Sequence, residues 1–400
     1  HLIEITSPLF QTAMTNKDSD STRAGGYLGS TSRGAPFLPN PLTTGLVRMD
    51  PPLLRLLGEA DRAVARLDGM GEVLPNPELF VTMYSRKEAL LSSQIEGTQA
   101  SMVDVLEGEA AGGGASARRG EVQEVLNHQR ALTHGLERLE SLPVSTRLLN
   151  EMHAVLMQNV RGQARRIGEF RTNQNWIGPP GCSQEEAIFV PPPVPVMKEA
   201  MSDLERYIHD DGETPILIKV ALVHHQFETI HPYEDGNGRM GRLLITLLLV
   251  ESGILSRPLL YLSLFLKEHR QEYYELLNNV RFTGDYEAWI TFFLRGVREV
   301  ALGASRTARA VLEMRERHIE RVRDAGASAR GSSFVDVLLR RPAMTVGSAA
   351  EDLGVSYGTA NTLIGDFEDL GLLREITGRG RNRVFLYEPY LEVLGGRLEP

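Results

Sequence analysis

His231-Pro232-Tyr233-Glu234-Asp235-Gly236-Asn237-Gly238-Arg239-Met240-Gly241-Arg242 is the densest run of chemically active residues in this 400-residue chain. Helical periodicity flanks it over 215–228 and 239–252, which predicts a loop that opens onto a helix N-terminus. Glycines at 236, 238 and 241 let backbone N–H groups come close to a ligand. Those N–H groups and the positive end of the following helix make an anion site. Arg239 and Arg242 are three residues apart on the first turn, where each can offer a guanidinium fork to phosphate oxygens. Asp235 is a hard oxygen ligand suited to Mg2+. His231 is the side-chain type that takes a proton near neutral pH. Base, metal carboxylate, phosphate cradle and arginines together point to nucleotide chemistry over the whole stretch Gly236 to Arg242, Met240 included. Gly236 to Gly241 also fits G-x-G-x-x-G formally, but that fingerprint needs a preceding strand, and the residues before it are helical and polar. His224, His225 and His231 lack the i, i+4 spacing of a zinc helix, so His224 and His225 are expected to be packed histidines.

Outward from this loop the pattern is mostly helical. Apolar residues recur at three and four from Leu53 to Leu67, and helices are predicted over 77–93, 121–139, 144–160 (capped by Ser145), 194–209, 262–279, 285–297 and 301–325. The proline-dense segment 36–52 reads as extended backbone, and 111–117 (AGGGASA) as a loop. Between 161 and 198, rich in Gly and Pro, the patches 175–177 and 187–190 predict a small hairpin. The end of the chain is another unit: a helix at 334–339, a helix-turn-helix over 345–370, then a two-stranded wing ending at 384–387, a winged-helix pattern.

Lys and Arg number 43 against 52 Asp and Glu, a net charge of −9, which excludes a bulk nucleic-acid binder and leaves local contact. The single cysteine, Cys182, excludes an intrachain disulfide framework and a cysteine zinc site, and fits a reducing, cytoplasmic setting. The longest apolar run, 243–250, is far shorter than a membrane span. Residues 1–35 lack the order of a signal peptide and read as a polar tail; with His1 rather than Met at the start, a trimmed start is expected.

The twelve-residue loop resembles the active-site motif of the Fic (filamentation induced by cAMP) domain, usually HPF-x-[D/E]-G-N-G-R-x-x-R, with Tyr233 for the usual Phe. The likeness extends over about 35–298, through RGAPFLPNPL near the start and RIGEFRTNQNWIG at 166–178. It implies a mainly α fold: a Fic-type helical core with a small β-hairpin flap, followed here by the C-terminal winged helix-turn-helix. The expected divisions are a tail at 1–35, an N-terminal helical region at 36–140, a catalytic core at 141–298, a connecting helix and linker at 299–333, and the winged helix at 334–400.

Most members of this family transfer AMP from ATP to a protein hydroxyl and release pyrophosphate. By resemblance, His231 would deprotonate the target Tyr, Ser or Thr. Asp235 would hold Mg2+, and Asn237 with the 236–238 backbone would form the anion hole. Arg239 would hold the β-phosphate region and Arg242 the γ-phosphate. The related Doc kinases usually carry Lys at the position of Gly238, so Gly238 favours AMP transfer. Ser92-Ser93-Gln94-Ile95-Glu96-Gly97 fits the family's inhibitory motif [S/T]-x-x-x-E-[G/N], which makes Ser92, Glu96 and Gly97 inhibitory residues; the Glu96 carboxylate would occupy the Arg242 guanidinium. Trp176, Ile177, Phe189 and Val190 would form the flap that takes a target segment by strand addition, and Tyr274 would line the adenine pocket.

Two further readings stand beside this one: a winged-helix regulator whose core senses nucleotide without turnover, and transfer of another nucleotide or phosphate group. The segment 334–400 holds seven Arg against ten Asp and Glu, a net of −3, yet Arg374, Arg379, Arg381 and Arg383 gather in the wing. Tyr357, Thr359, Asn361 and Thr362 open the second helix, with Asp366, Glu368 and Asp369 at its far end, a polarity suited to DNA. Self-modification and a homodimer stay open.

Overall fold

The computed structural model describes residues 22–29, 34–73, 77–110, 119–160, 166–326, 329–378 and 380–395. The expected loop at 111–117, most of the expected tail and the wing residue Arg379 lie outside them. The chain divides into two compact units: 1–62 with 130–254 and 265–298, and 63–129 with 255–264 and 299–400.

The first unit is built around two helices, Ile216–Ile230 and Asn237–Glu251. Both are apolar nearly all round, which is the pattern of helices buried on every side. A β-carbon placed on Gly241 would lie 2.4 Å from Glu228 Oε1 and 3.2 Å from the His224 ring, so the two helices meet at a residue with no side chain. Around the pair lie the helices Thr146–Leu156, Val194–Ile208 and Arg270–Thr283 and the start of Tyr286–Asp324. Trp289, fully buried, donates its indole N–H to the Ala221 carbonyl at 2.9 Å and anchors the last of these. Strands Gly25–Tyr27 and Phe37–Pro39 pair antiparallel, Gly26 opposite Leu38.

Several expected elements take another form. The hairpin at 175–190 contracts to one bridge between Ile177 and Phe189. The Ile177 carbonyl accepts from both Ile188 N (2.8 Å) and Phe189 N (3.1 Å), a bulge-like doubling, and Pro191 to Pro193 then supply no N–H to extend a ladder. The expected helix 262–279 is interrupted at His269 (φ −110°, ψ 33°), which leaves Ser263–Glu268 and Arg270–Thr283; the His269 ring Nδ1 bonds the Phe265 carbonyl (3.0 Å). Conversely, 285–297 and 301–325 form one continuous helix, Tyr286–Asp324.

In the second unit, Pro77–Ile95, Met102–Ala110 and the N-terminal part of Arg119–Leu139 enclose a core of Ala89, Leu90, Ala100, Val105, Val122 and Val125. The winged helix follows the expected order. Thr345 caps Val346–Leu353 through a capping box with Ser348, Gly354 ends it in the left-handed region, and Ser356 caps Tyr357–Asp369. The wing has three strands rather than two, since Ala343–Met344 pairs with Phe385–Leu386, which in turn pairs with Arg374–Glu375. This segment packs on Pro77–Ile95: Lys87 Nζ donates to the Leu394 carbonyl (2.6 Å) and Arg86 to that of Arg340 (3.2 Å). No described helix is long and apolar enough to cross a membrane.

Candidate active site

His231 is the residue at which Ile216–Ile230 stops. Its N–H still bonds the Phe227 carbonyl (2.9 Å), but its backbone lies in the left-handed region, φ 49° and ψ 61°. That conformation is uncommon for a residue with a side chain and has to be held from outside. The holding groups come from 171–175. Arg171, 0% exposed, donates Nε to the His231 carbonyl (3.0 Å), Nη1 to Asn173 (3.1 Å) and Nη2 to Pro192 (2.5 Å), while its backbone N–H bonds the Pro232 carbonyl (2.9 Å). Asn175 Nδ2 donates to the Tyr233 carbonyl (3.0 Å). Burial lowers the Arg171 pKa to about 10, which still leaves a cation at neutral pH.

Tyr233 is the hub on which the loop turns. It is fully buried, stacks on His153 with ring centres 3.9 Å apart, and donates its hydroxyl to Asn150 Oδ1 (2.9 Å). The hydroxyl that a Phe would lack therefore has a partner. Gly168 N–H donates to His153 Nδ1 (3.0 Å), so Nε2 carries the hydrogen and donates to the Asp235 carbonyl (3.1 Å). Burial lowers the His153 pKa to about 4 and keeps this neutral tautomer.

The far side of the loop is the start of Asn237–Glu251. Gly236 takes φ 79°, and a β-carbon there would meet Met157 Sδ at 2.9 Å, so glycine is needed on both counts. Asn237 is buried, and its side chain closes the loop on itself: Oδ1 accepts from Tyr233 N (2.8 Å) and Nδ2 donates to Tyr233 O (2.8 Å). Its side-chain amide is therefore taken up within the loop, and only its backbone N–H is left to face a ligand. Gly238 is half-buried on the first turn, where helix N–H groups lack acceptors within the helix. Arg239 and Arg242 are 6% and 2% exposed, and Arg239 Nη2 lies 3.9 Å from Asp235 Oδ1. The Asp235 carboxylate is exposed and accepts from Gly236 N–H (2.6 Å). Met240 is fully enclosed, and the open face of Gly241 is turned to Glu228 and His224. These two expected ligand residues serve helix packing in this structure.

His224 and His225 are packed, as expected. His224 bonds the Gly241 carbonyl (3.0 Å) and the Tyr273 hydroxyl (2.9 Å), His225 bonds the Leu277 carbonyl (3.2 Å), and burial holds both near a pKa of about 3. Of the adjacent tyrosines Tyr273 is buried on His224, while Tyr274 is exposed with the Arg270 guanidinium 5.5 Å from its ring centre. Trp176 and Ile188 on the bridged loop are 41% and 59% exposed, while Phe189 and Val190 are buried. In the second unit Ser92 is buried, Glu96 is exposed at the end of Pro77–Ile95, and Gly97 takes φ 106° as the chain turns. The roles of Arg171, Asn175, His153 and Asn150 do not show in the sequence; the stretch RIGEFRTNQNWIG at 166–178 carries a signal for the first two alone.

Three segments of the chain match known families: 54–137 the Fic/DOC family N-terminal segment, 143–249 the Fic/DOC family itself, and 332–385 a helix-turn-helix DNA-binding domain. The chain thus carries a Fic domain with its N-terminal segment and a winged helix. A probable protein adenylyltransferase of Aquifex aeolicus is 37% identical over 70 residues, 18% of this chain and 22% of that protein. The protein adenylyltransferase fic-1 of Caenorhabditis briggsae is 28% identical over 156 residues, 36% of this chain and 28% of its own length. The protein adenylyltransferase Fic of Drosophila melanogaster is 30% identical over 127 residues, 31% and 23%. The matches span at most 28% of these relatives. The crystal structure of a Fic family protein from Desulfovibrio desulfuricans shares the fold, with a TM-score of 0.57 at 20% identity over 86% of this chain and 98% of that one.

Proposed function

We propose that this chain is a protein adenylyltransferase that uses ATP and Mg2+. The observation that carries the reading is one short loop that joins His231, held at a helix end, to two buried guanidiniums of the next helix, Arg239 on its first turn and Arg242 on its second. Both lie behind one helix N-terminus, where backbone N–H groups and guanidinium forks suit a polyanion. In this reading His231 takes the proton of a target Tyr, Ser or Thr hydroxyl. The oxygen attacks the α-phosphorus of ATP, the bond to the β-phosphate bridging oxygen breaks, and pyrophosphate leaves. The N–H groups of the first turn face the charge that develops, and Arg239 and Arg242 orient the β- and γ-phosphates. Tyr274 offers an exposed ring for adenine.

For Mg2+ the donor set fits. Asp235 presents one exposed carboxylate beside the phosphate cradle, and no group of three His, Cys, Asp or Glu suited to a metal occurs among the described residues. A single carboxylate completed by substrate phosphates is the usual way to hold this ion. When bound there it would neutralise phosphate charge.

The sequence motif alone makes Glu96 the carboxylate that competes for Arg242 and restrains transfer. The protein is incubated with ATP labelled at the α-phosphate, alone and with lysate proteins. Glu96→Gly should raise labelling by about 10²-fold, the scale set by correct placement of a reacting group. Arg242→Ala should not, because it removes a phosphate ligand as well. Equal activation by both variants would reduce the motif to a helix turn. No label from any form would favour a nucleotide sensor, and a mass other than AMP on the product would name a different transfer. The helix-turn-helix match adds a second reading, local contact of the winged helix with DNA.

A further inference from the structure

Three consecutive carbonyls of the loop, those of His231, Pro232 and Tyr233, all accept hydrogen bonds from 171–175. Two of these bonds are side-chain contacts from Arg171 and Asn175, and the third is the Arg171 backbone N–H. The Asn175 amide also lies 3.5 Å from the His231 carbonyl. Every side-chain hydrogen bond of Arg171 goes to a neutral carbonyl. A buried guanidinium without a carboxylate is an expensive way to close a loop. What it offers is a planar fork that meets three carbonyls from three different stretches, at 173, 192 and 231.

The carbonyl it holds belongs to a residue in a strained conformation. His231 at φ 49° is strained and keeps that conformation only while its surroundings demand it. Released, the backbone would relax toward φ < 0, and the imidazole, carried on the same α-carbon, would swing away. We propose that Arg171 and Asn175 are positioning residues that hold His231 in its left-handed conformation and thereby aim its ring at the target hydroxyl.

The phosphate cradle lies on the other limb of the loop, fastened by the Gly236 turn and by Asn237 on Tyr233; Asn175 shares the Tyr233 carbonyl with Asn237, but Asn237 keeps its bonds to Tyr233 N and O without it, and Arg171 touches neither. The two functions should therefore separate in kinetics. This inference rests on the adenylyltransferase reading. The test is steady-state AMP transfer by the full chain, in the wild-type and Glu96→Gly backgrounds, with Arg171→Lys and with Asn175→Ala. The expected result is a fall in kcat of about 10²-fold for Arg171→Lys and about 10-fold for Asn175→Ala, with KM for ATP nearly unchanged. A merely structural role would move kcat and KM together with the melting temperature. Asn175 is only half-buried, so its variant keeps the test open if Arg171→Lys fails to fold. Label in both backgrounds with kcat unchanged in folded variants, or with KM rising in step with the loss of kcat, overturns the inference alone. Label in neither background overturns the transfer reading and the inference with it.

Discussion

The loop and the wing both gather arginines, and they treat them in opposite ways. Around the loop Arg171, Arg239 and Arg242 are all buried. In the wing Arg381 stands in solvent, Arg383 lies half-buried with its guanidinium 5.0 Å from the Phe385 ring centre, and Arg374 is paired at its surface with Glu388 (2.9 Å). An exposed cation costs a fold almost nothing and so carries little information about use. A buried one must be offset by partners or by a ligand. Arg171 is offset by the carbonyls it ties together, so its burial constrains the loop, whereas the wing's arginines place no such constraint on the fold.

The sharpest way to break this contrast is at the base. His231→Ala should cut AMP transfer by 10²–10⁴-fold, the usual contribution of a general base, while ATP still binds to the untouched cradle. Near wild-type transfer, read from labelled ATP beside calorimetric ATP binding, would remove the loop's claim.

A second difference lies in proton uptake. His153, His224 and His225 in the loop's unit have pKa values lowered by burial to about 4, 3 and 3, and His318 in the other unit is lowered to about 4. Unfolded, each would titrate near 6.5. Below that value the unfolded chain binds more protons, so stability is fully present above about pH 6.5 and declines as the pH falls toward 4. His153 alone should account for on the order of 3 kcal/mol. The melting temperature should drop between pH 7.5 and 4.5, and His153→Gln should flatten part of that drop. A melting temperature indifferent to pH in this range would show that these rings are not held neutral.

The smallest effect belongs to the wing. If Arg381 and Arg383 touch DNA phosphates, replacing both by Ala should flatten the salt dependence of duplex binding by about 0.9 per residue in slope. Fluorescence anisotropy between 50 and 200 mM salt measures this. Salt-independent or absent binding by the wild type would leave the wing's arginines as ordinary surface.

The helical class, the loop between two buried helices and the winged helix were legible because each rests on local patterning. Ser145 caps the helix it was expected to cap, and Thr345 and Ser356 cap the two helices of the expected helix-turn-helix. Continuity was less legible. Nothing local in 285–325 says whether one helix or two will form, nor in 262–279 that the backbone will depart from helical angles at His269. The residues that fasten the loop were the least visible. Arg171 and His153 lie 60 and 78 positions from His231, and their partners are backbone carbonyls, which leave no trace in composition or spacing. The loop's reactive residues show in the sequence because chemistry demands their types. Their supports could have been several types and are revealed only by the fold.

Gly236, Gly238 and Gly241 spell a glycine pattern that also occurs in nucleotide-binding proteins of another architecture. In that architecture the first glycine makes a tight turn, the second lets backbone approach a pyrophosphate, and the third allows a helix to pack closely. Here Gly236 turns at φ 79°, Gly238 opens the helix, and Gly241 presses it on its neighbour. The same spacing has arisen in a helical setting because both chains face the same geometric problem, a helix that begins where anionic oxygen must arrive and then descends at once into a crowded interior. The element before such a glycine fingerprint, strand or helix, tells the two settings apart.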